Sequence, residues 1–306
     1  MKKILFISII FGLSICFSAM VHALSGDISG VWTAGTTVTI DGDVEIPAGE
    51  TLVIEPGVQV EFTGRFTFNV LGRLEAVGTV EQLIVFSRAF ETEASKWRGL
   101  RFDNADDTSV LEYCKIEYVH KDGDYPGVRG GAIWISDCSP SIRYNILTNN
   151  YSRNGNYNGT GGGVCLDKNS NSIIEYNTIA FNKADSGGGI CIGSDCNAVI
   201  RNNRISNNES FYSGGGIYLS AWGHATIYNN MIKDNTVYGW AGGGGITLWN
   251  GNCGVDACTH VFNNIIVNNA ASTYGGGIYS RYNDSKIYNN TIVNNFAASG
   301  GGLHVL

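Results

Sequence analysis

The chain has 306 residues, with 41 glycines, only 4 prolines, and 27 acidic against 20 basic residues for a net charge of −7. So much glycine excludes a helical repeat, because each glycine inside a helix costs about 1 kcal/mol. The acidic balance excludes general affinity for nucleic acid or acidic head groups, so an anionic ligand needs a local basic patch or a bound cation.

At the N-terminus, Lys2 and Lys3 precede an apolar run from Ile4 to Phe17, and the segment closes on Val21-His22-Ala23. This pattern predicts a secretory signal peptide over 1–23, cleaved after Ala23. The run is short for a bilayer span, and no later run is long and apolar enough to be one. Leu13-Ser14-Ile15-Cys16 approaches a lipoprotein box, but bulky Ile15 stands where that processing needs a small residue. Loss of Lys2 and Lys3 leaves 18 basic and 27 acidic residues, a net charge of −9. The expected location is therefore secreted or at the cell surface.

Residues 24–57 read as an N-terminal cap with the first strands, and 58–306 as one solenoid whose last coil is incomplete. Short apolar runs at Val38–Ile40, Val44–Ile46, Leu52–Ile54, Val58–Phe62, Phe66–Val70, Leu83–Phe86, Leu100–Phe102 and Val110–Tyr118 alternate with turns such as Pro47-Ala48-Gly49 and Pro56-Gly57. A stack must hide its first open edge, and the irregular segment around Trp32 is the candidate cap.

From residue 130 onward a repeat takes over. Gly-Gly-Gly triplets begin at Gly161, Gly187, Gly214, Gly243, Gly275 and Gly300, at spacings of 26, 27, 29, 32 and 25 residues, after an earlier Gly130-Gly131-Ala132 copy. Each is followed by apolar-x-apolar, the period of a short strand with one face buried. Ile133, Val164, Ile190, Ile217, Ile246, Ile278 and Leu303 then form one inward column. A second segment reads Ile-x-x-Asn-x-Ile-x-x-Asn and yields two asparagine columns, one from Asn145 to Asn290 and one from Asn150 to Asn295. Asparagine tolerates the left-handed backbone of a sharp corner, and its amide can bond from coil to coil. The predicted fold is all-β: a right-handed, single-stranded parallel β-helix with three short strands per coil.

The segment Val44-Glu45-Ile46-Pro47-Ala48-Gly49-Glu50-Thr51-Leu52-Val53-Ile54-Glu55-Pro56-Gly57-Val58, with Leu71–Gly78 and Trp97-Arg98-Gly99-Leu100, resembles the opening coils of bacterial exported right-handed β-helix repeat proteins. The later Gly-Gly-Gly-Ile and Asn-Asn-x-Ile coils are similar to the same family, whose fold is shared with pectate lyases. The resemblance covers nearly the whole chain after the leader. It implies the fold and a substrate groove against one sheet, but no single activity, because this architecture carries lyases, hydrolases, epimerases and adhesins.

Insertions in a solenoid gather on its working face. Tyr151–Thr160, Thr236–Ala241 and Trp249–Cys258 are the longer loops and should wall a groove over the glycine-following strands. The outward column there is Trp134, Cys165, Cys191, Tyr218, Thr247, Tyr279 and His304, with Tyr157, Trp222, Trp240 and Trp249 in nearby loops. Aromatic faces suit sugars, which makes Trp134, Tyr218, Tyr279, Trp222, Trp240 and Trp249 candidate carbohydrate-binding residues and a polysaccharide or surface glycan the expected partner. The alternative is that these rings only favour strands and shield the turns.

Catalysis by a polysaccharide lyase or glycoside hydrolase would need carboxylates. Asp137, Asp167 and Asp195 lie just past the column on successive coils and are the candidates, for catalysis or for calcium, with solvated turn formers as the alternative. The Asn-Thr-Asp, Asp-Asp and Gly-His-Gly set of polygalacturonases is missing. A third reading is a structural surface protein or adhesin fragment. Cys253 and Cys258 bracket a loop and are the expected disulfide, Cys165 and Cys191 share a column, and Cys114, Cys138 and Cys196 are unassigned. Cysteine and histidine spacings fit no zinc pattern, so no structural metal is expected. The chain stops at Leu303-His304-Val305-Leu306, one strand into a coil, which reads as a fragment or as an end that pairs with another chain. Nothing in the sequence sets an oligomeric state.

Overall fold

The computed structural model describes residues 23–123, 127–155, 159–240, 242–249, 258–282 and 284–306. Residues 1–22, which hold nearly all of the expected leader, lie outside them. Among the described residues the only helical element is a single turn, Glu93–Ser95, and the strand pairings are parallel.

One coil shows the plan. Ile133–Ser136, Ser141–Arg143 and Ile146–Thr148 are the three expected strands, and Tyr151–Ser152 adds a fourth of two residues. Each stacks on its counterpart in the next coil: Ile133 on Val164, Ile142 on Ile174, Leu147 on Ile179 and Tyr151 on Lys183. The chain thus returns to the same place every coil and climbs by about 4.8 Å, the spacing of paired strands. The segment 24–57 already joins these ladders, since Ala23–Asp27 pairs with Thr37–Ile46 and Gly30–Trp32 with Thr51–Ile54. Trp32 sets its ring edge-on to Phe68, 6.0 Å between centroids.

The core is one continuous file inside the coils. Ile133, Val164, Ile190, Ile217, Ile246 and Ile278 are fully buried in it. The early coils fill the same space with aromatics: Trp97 stacks on Phe62 at 4.1 Å and donates its indole N–H to the Glu117 carbonyl at 2.9 Å.

Both asparagine columns point inward and are hydrogen-bonded throughout. The Asn182 backbone N–H donates to Asn208 Oδ1 at 3.1 Å, Asn208 Nδ2 donates to the Ile179 carbonyl at 2.9 Å and to Asn235 Oδ1 at 3.0 Å, and the pattern repeats from Asn150 to Asn295. The left-handed residue at these corners is not the column asparagine, as the sequence suggested, but the residue before it. Tyr144, Tyr176, Asn202, Asn229, Asn263 and Asn289 precede one column, and Asn149, Phe181, Asn207, Asp234, Asn268 and Asn294 the other, with φ of 54–59°. The positive φ turns the chain, and the next residue's amide then projects inward to bond the corner above and below. Residues with no local amide bond, such as Tyr144 and Phe181, hold this backbone because the ladder on either side dictates it.

The glycine triplets have two steric causes. Gly187 has φ of 65°, and a Cβ on Gly188 would lie 2.6 Å from the Gly215 carbonyl oxygen of the next coil. First position and second position therefore need glycine for different reasons.

Removal of one ladder amide should orphan several buried groups at once, at about 1–3 kcal/mol each. Asn208→Ala is expected to lower the urea midpoint markedly, whereas Asn207→Gly, at the left-handed position, should leave it within about 1 kcal/mol of the parent. Equal losses in the two variants would contradict the separate roles of the paired asparagines.

Candidate binding groove

The glycine-following strands stack in register from Trp134 through Cys165, Cys191, Tyr218, Thr247 and Tyr279 to His304, so the outward column is the one read from the sequence. On one side the residues before each glycine triplet rise beside it, and on the other the turns after each strand. Together they enclose a groove of about 430 Å³, within the range of ligand pockets. Its floor is Cys165, Cys191 and Tyr218; one wall carries Arg129, Thr160, Ser186 and Tyr212; the other carries Asp167, Ser194, Ser220, Trp222 and Trp249. A second recess of about 230 Å³ continues along the stack past Trp249 to Trp240, Tyr274, Tyr279 and Arg281.

The rings divide into floor and rim. Trp134, 5% exposed, lies under the Arg101 guanidinium at 3.9 Å, and Tyr279, 2% exposed, lies against Tyr274 and Trp249. Side chains of adjacent coils cover both. Trp222 and Trp240 are the open ones, at 59% and 57%. Trp249 is half-buried beneath the Arg281 guanidinium at 4.6 Å, an arrangement that favours a cation over an indole face. Tyr218 is partly exposed, and burial raises its hydroxyl pKa. Tyr157 lies outside the described residues, as do 156–158 of the first long loop, Ala241 of the second and 250–257 of the third.

The three aspartates are not equivalent. Asp137, Asn169, Asp195 and Trp222 occupy the left-handed turn after the strand, with φ of 55°, 46°, 59° and 67°. Asp137 accepts from Asn169 Nδ2 at 2.7 Å and Ser136 Oγ at 2.8 Å, bonds that hold its carboxyl below the usual range. Asp167 precedes this turn by two residues and is the extra residue where the pairing with the previous coil slips at Ile135/Ser136; two places after outward-facing Cys165, it lines the groove. There it pairs with Arg129. Of the three, only Asp167 lines the groove.

Cys165 and Cys191, paired in register and almost fully buried, are free thiols on the floor. Hydrogen bonding from Cys191 lowers the Cys165 pKa and correspondingly raises that of Cys191, and Thr160 Oγ1 lies 3.3 Å from Cys165 Sγ. Cys114, Cys138 and Cys196 are also free and buried. Burial pushes the thiols of Cys138 and Cys196 up to about 11 and about 12. Cys253 lies outside the described residues, and with it the expected bond to Cys258. Among the described residues no three His, Cys, Asp or Glu side chains come together as metal ligands.

Sequence reasoning overlooked the cations of this face. Arg129 stands directly before Gly130, Arg101 is one coil below Trp134 in the same column, and Arg281 ends the strand of Tyr279. They stand at three different offsets from the glycines, so no common spacing marked them. Lys121 was also missed: 6% exposed, it donates from Nζ to the Arg129 carbonyl at 3.0 Å.

A family model described as right handed beta helix region matches residues 92–292. A comparison with curated proteins finds no match.

Burial, aided by the nearby charges of Arg101 and Arg98, pushes the Lys121 ammonium down to about 7. Above that pH the folded chain has released a proton that the unfolded chain keeps up to the ordinary lysine range. Stability should therefore rise between about pH 7 and pH 10, by at most about 1.4 kcal/mol per pH unit from this group. Lys121→Met is expected to remove the slope and to be most stabilising below pH 7, as read from melts across the range; an unchanged slope would refute the assignment.

Proposed function

Because the chain belongs to the right-handed β-helix family, we propose that it is an exported protein, secreted or at the cell surface, that binds carbohydrate in the groove over its glycine-following strands. The observation that carries the reading is the open indole of Trp222, set across the groove from Tyr212 and Arg129 and beside Trp249. Rings of this kind offer apolar faces to the C–H side of a sugar. Around them Ser186, Ser194 and Ser220 supply hydroxyls, and Arg129 with Asp167 supplies a charged donor and acceptor, the groups that orient sugar hydroxyls. The leader-like segment supports export.

A second reading, a polysaccharide lyase or hydrolase, is favoured by one feature, the carboxylate of Asp167 held beside the Arg129 cation. Proton abstraction next to a carboxylate-bearing carbon needs a base beside a stabilising cation. Asp137 and Asp195, at the turn, would not take part in that chemistry.

A screen against neutral and acidic polysaccharides, with and without calcium, should find a glycan whose binding weakens roughly tenfold in Trp222→Ala, equivalent to about 1.4 kcal/mol, with the melting temperature unchanged. New reducing or unsaturated ends lost in Asp167→Asn would establish the enzyme. Absence of both binding and products would overturn the proposal in favour of a structural rod.

A further inference from the structure

The coil corner between the third strand and the two-residue fourth strand carries a separate pocket of about 460 Å³. Two columns build it. The short fourth strands stack His120 on Tyr151 and Tyr151 on Lys183, and the His120 and Tyr151 rings lie 4.5 Å apart at 16°. Two residues earlier in each coil, the left-handed corner places Tyr118, Asn149 and Phe181, with Phe181 55% exposed. Arg88, from the coil below, lays its guanidinium 4.1 Å over the Tyr118 ring, and Lys96 closes the rim.

The charge here opposes that of the molecule. On a chain of net charge −7, four basic residues and no carboxylate line this pocket. The nearest partners lie outside the lining: Glu209 reaches Lys183 at 2.9 Å, and Asp122 reaches His120 at 3.6 Å while also pairing with Arg65. Arg88, among the described residues, faces a ring and not a carboxylate, so its N–H groups stay available for an anion. We infer that this pocket is a second binding site, distinct from the groove, for a saccharide bearing carboxylate or sulfate groups. Tyr151 and Phe181 take the sugar's apolar faces, and Arg88, Lys96 and Lys183 take its anionic groups. The acidic surface elsewhere repels long polyanions and confines binding to short stretches of chain.

The test is titration of the whole protein with a hyaluronan tetrasaccharide, a heparin-derived sulfated tetrasaccharide and neutral chitotetraose, followed calorimetrically at two salt concentrations. One or both charged probes should bind at least tenfold tighter than chitotetraose and weaken with salt. Arg88→Gln/Lys183→Gln should lose at least tenfold for the charged probe, and Phe181→Ala should weaken it with no change in fold. Trp222→Ala should leave it intact, which separates this site from the groove whether or not the groove binds a glycan. Equal binding of chitotetraose, no binding of either charged probe, insensitivity to both pocket variants, loss in Trp222→Ala of the same binding component that Arg88→Gln/Lys183→Gln removes, or tighter binding of oligo-dT would each overturn the inference.

Discussion

Everything in this molecule depends on the strand-to-strand spacing of about 4.8 Å, which each coil must reproduce in three ladders at once, and in a fourth from His120 onward. Backbone donors in one coil find their acceptors in the next, so no coil is satisfied alone. The asparagine columns extend this rule to side chains, because each buried amide bonds the coil on both sides of it. A position in the ladder is therefore defined by its neighbours above and below more than by its own residue. Tyr144 and Phe181 accept a left-handed backbone for that reason.

The same constraint shapes the groove. The strand after each glycine triplet lies close to the next coil because Gly188 and its counterparts carry no Cβ to meet the carbonyl opposite. This close stacking brings the outward column into side-chain contact along its length. Trp134, Cys165, Cys191 and Tyr279 are buried although they point away from the core, each covered by flanking turns and neighbouring coils. The lining of the candidate groove consequently includes residues that leave the ladder: Trp222 in its turn, Asp167 at the bulge and Arg129 ahead of the glycines.

Charge follows a similar division. The regular faces pair their ions along the ladders, as Arg201 does with Glu175 at 2.7 Å and Arg143 with Glu112 at 2.9 Å, and such half-exposed pairs contribute little to stability. Cations are set against rings where a column ends or changes composition: Arg101 on Trp134, Arg281 on Trp249, Arg88 on Tyr118. Two of these pairs, Arg281 with Trp249 and Arg88 with Tyr118, line recesses of the surface.

The sequence by itself determined the fold, because a period of 25 to 32 residues with glycine, isoleucine and asparagine at fixed offsets has one economical solution, and the register of the outward column follows from counting. Its longer loops also pointed to the face on which the candidate groove lies. Tertiary structure alone decided which of those residues are open. Trp134 and Trp222 read alike as aromatic side chains near one strand, yet one is under an arginine from the coil below and the other stands free. Asp167 and Asp195 group together in the sequence, yet they stand two and four residues past Cys165 and Cys191, and coil stacking sets Asp167 opposite Gly193 and Asp195 at the left-handed turn. The pocket at His120 was invisible for the same physical reason: its residues are about thirty positions apart in the chain, and only coil stacking makes them neighbours.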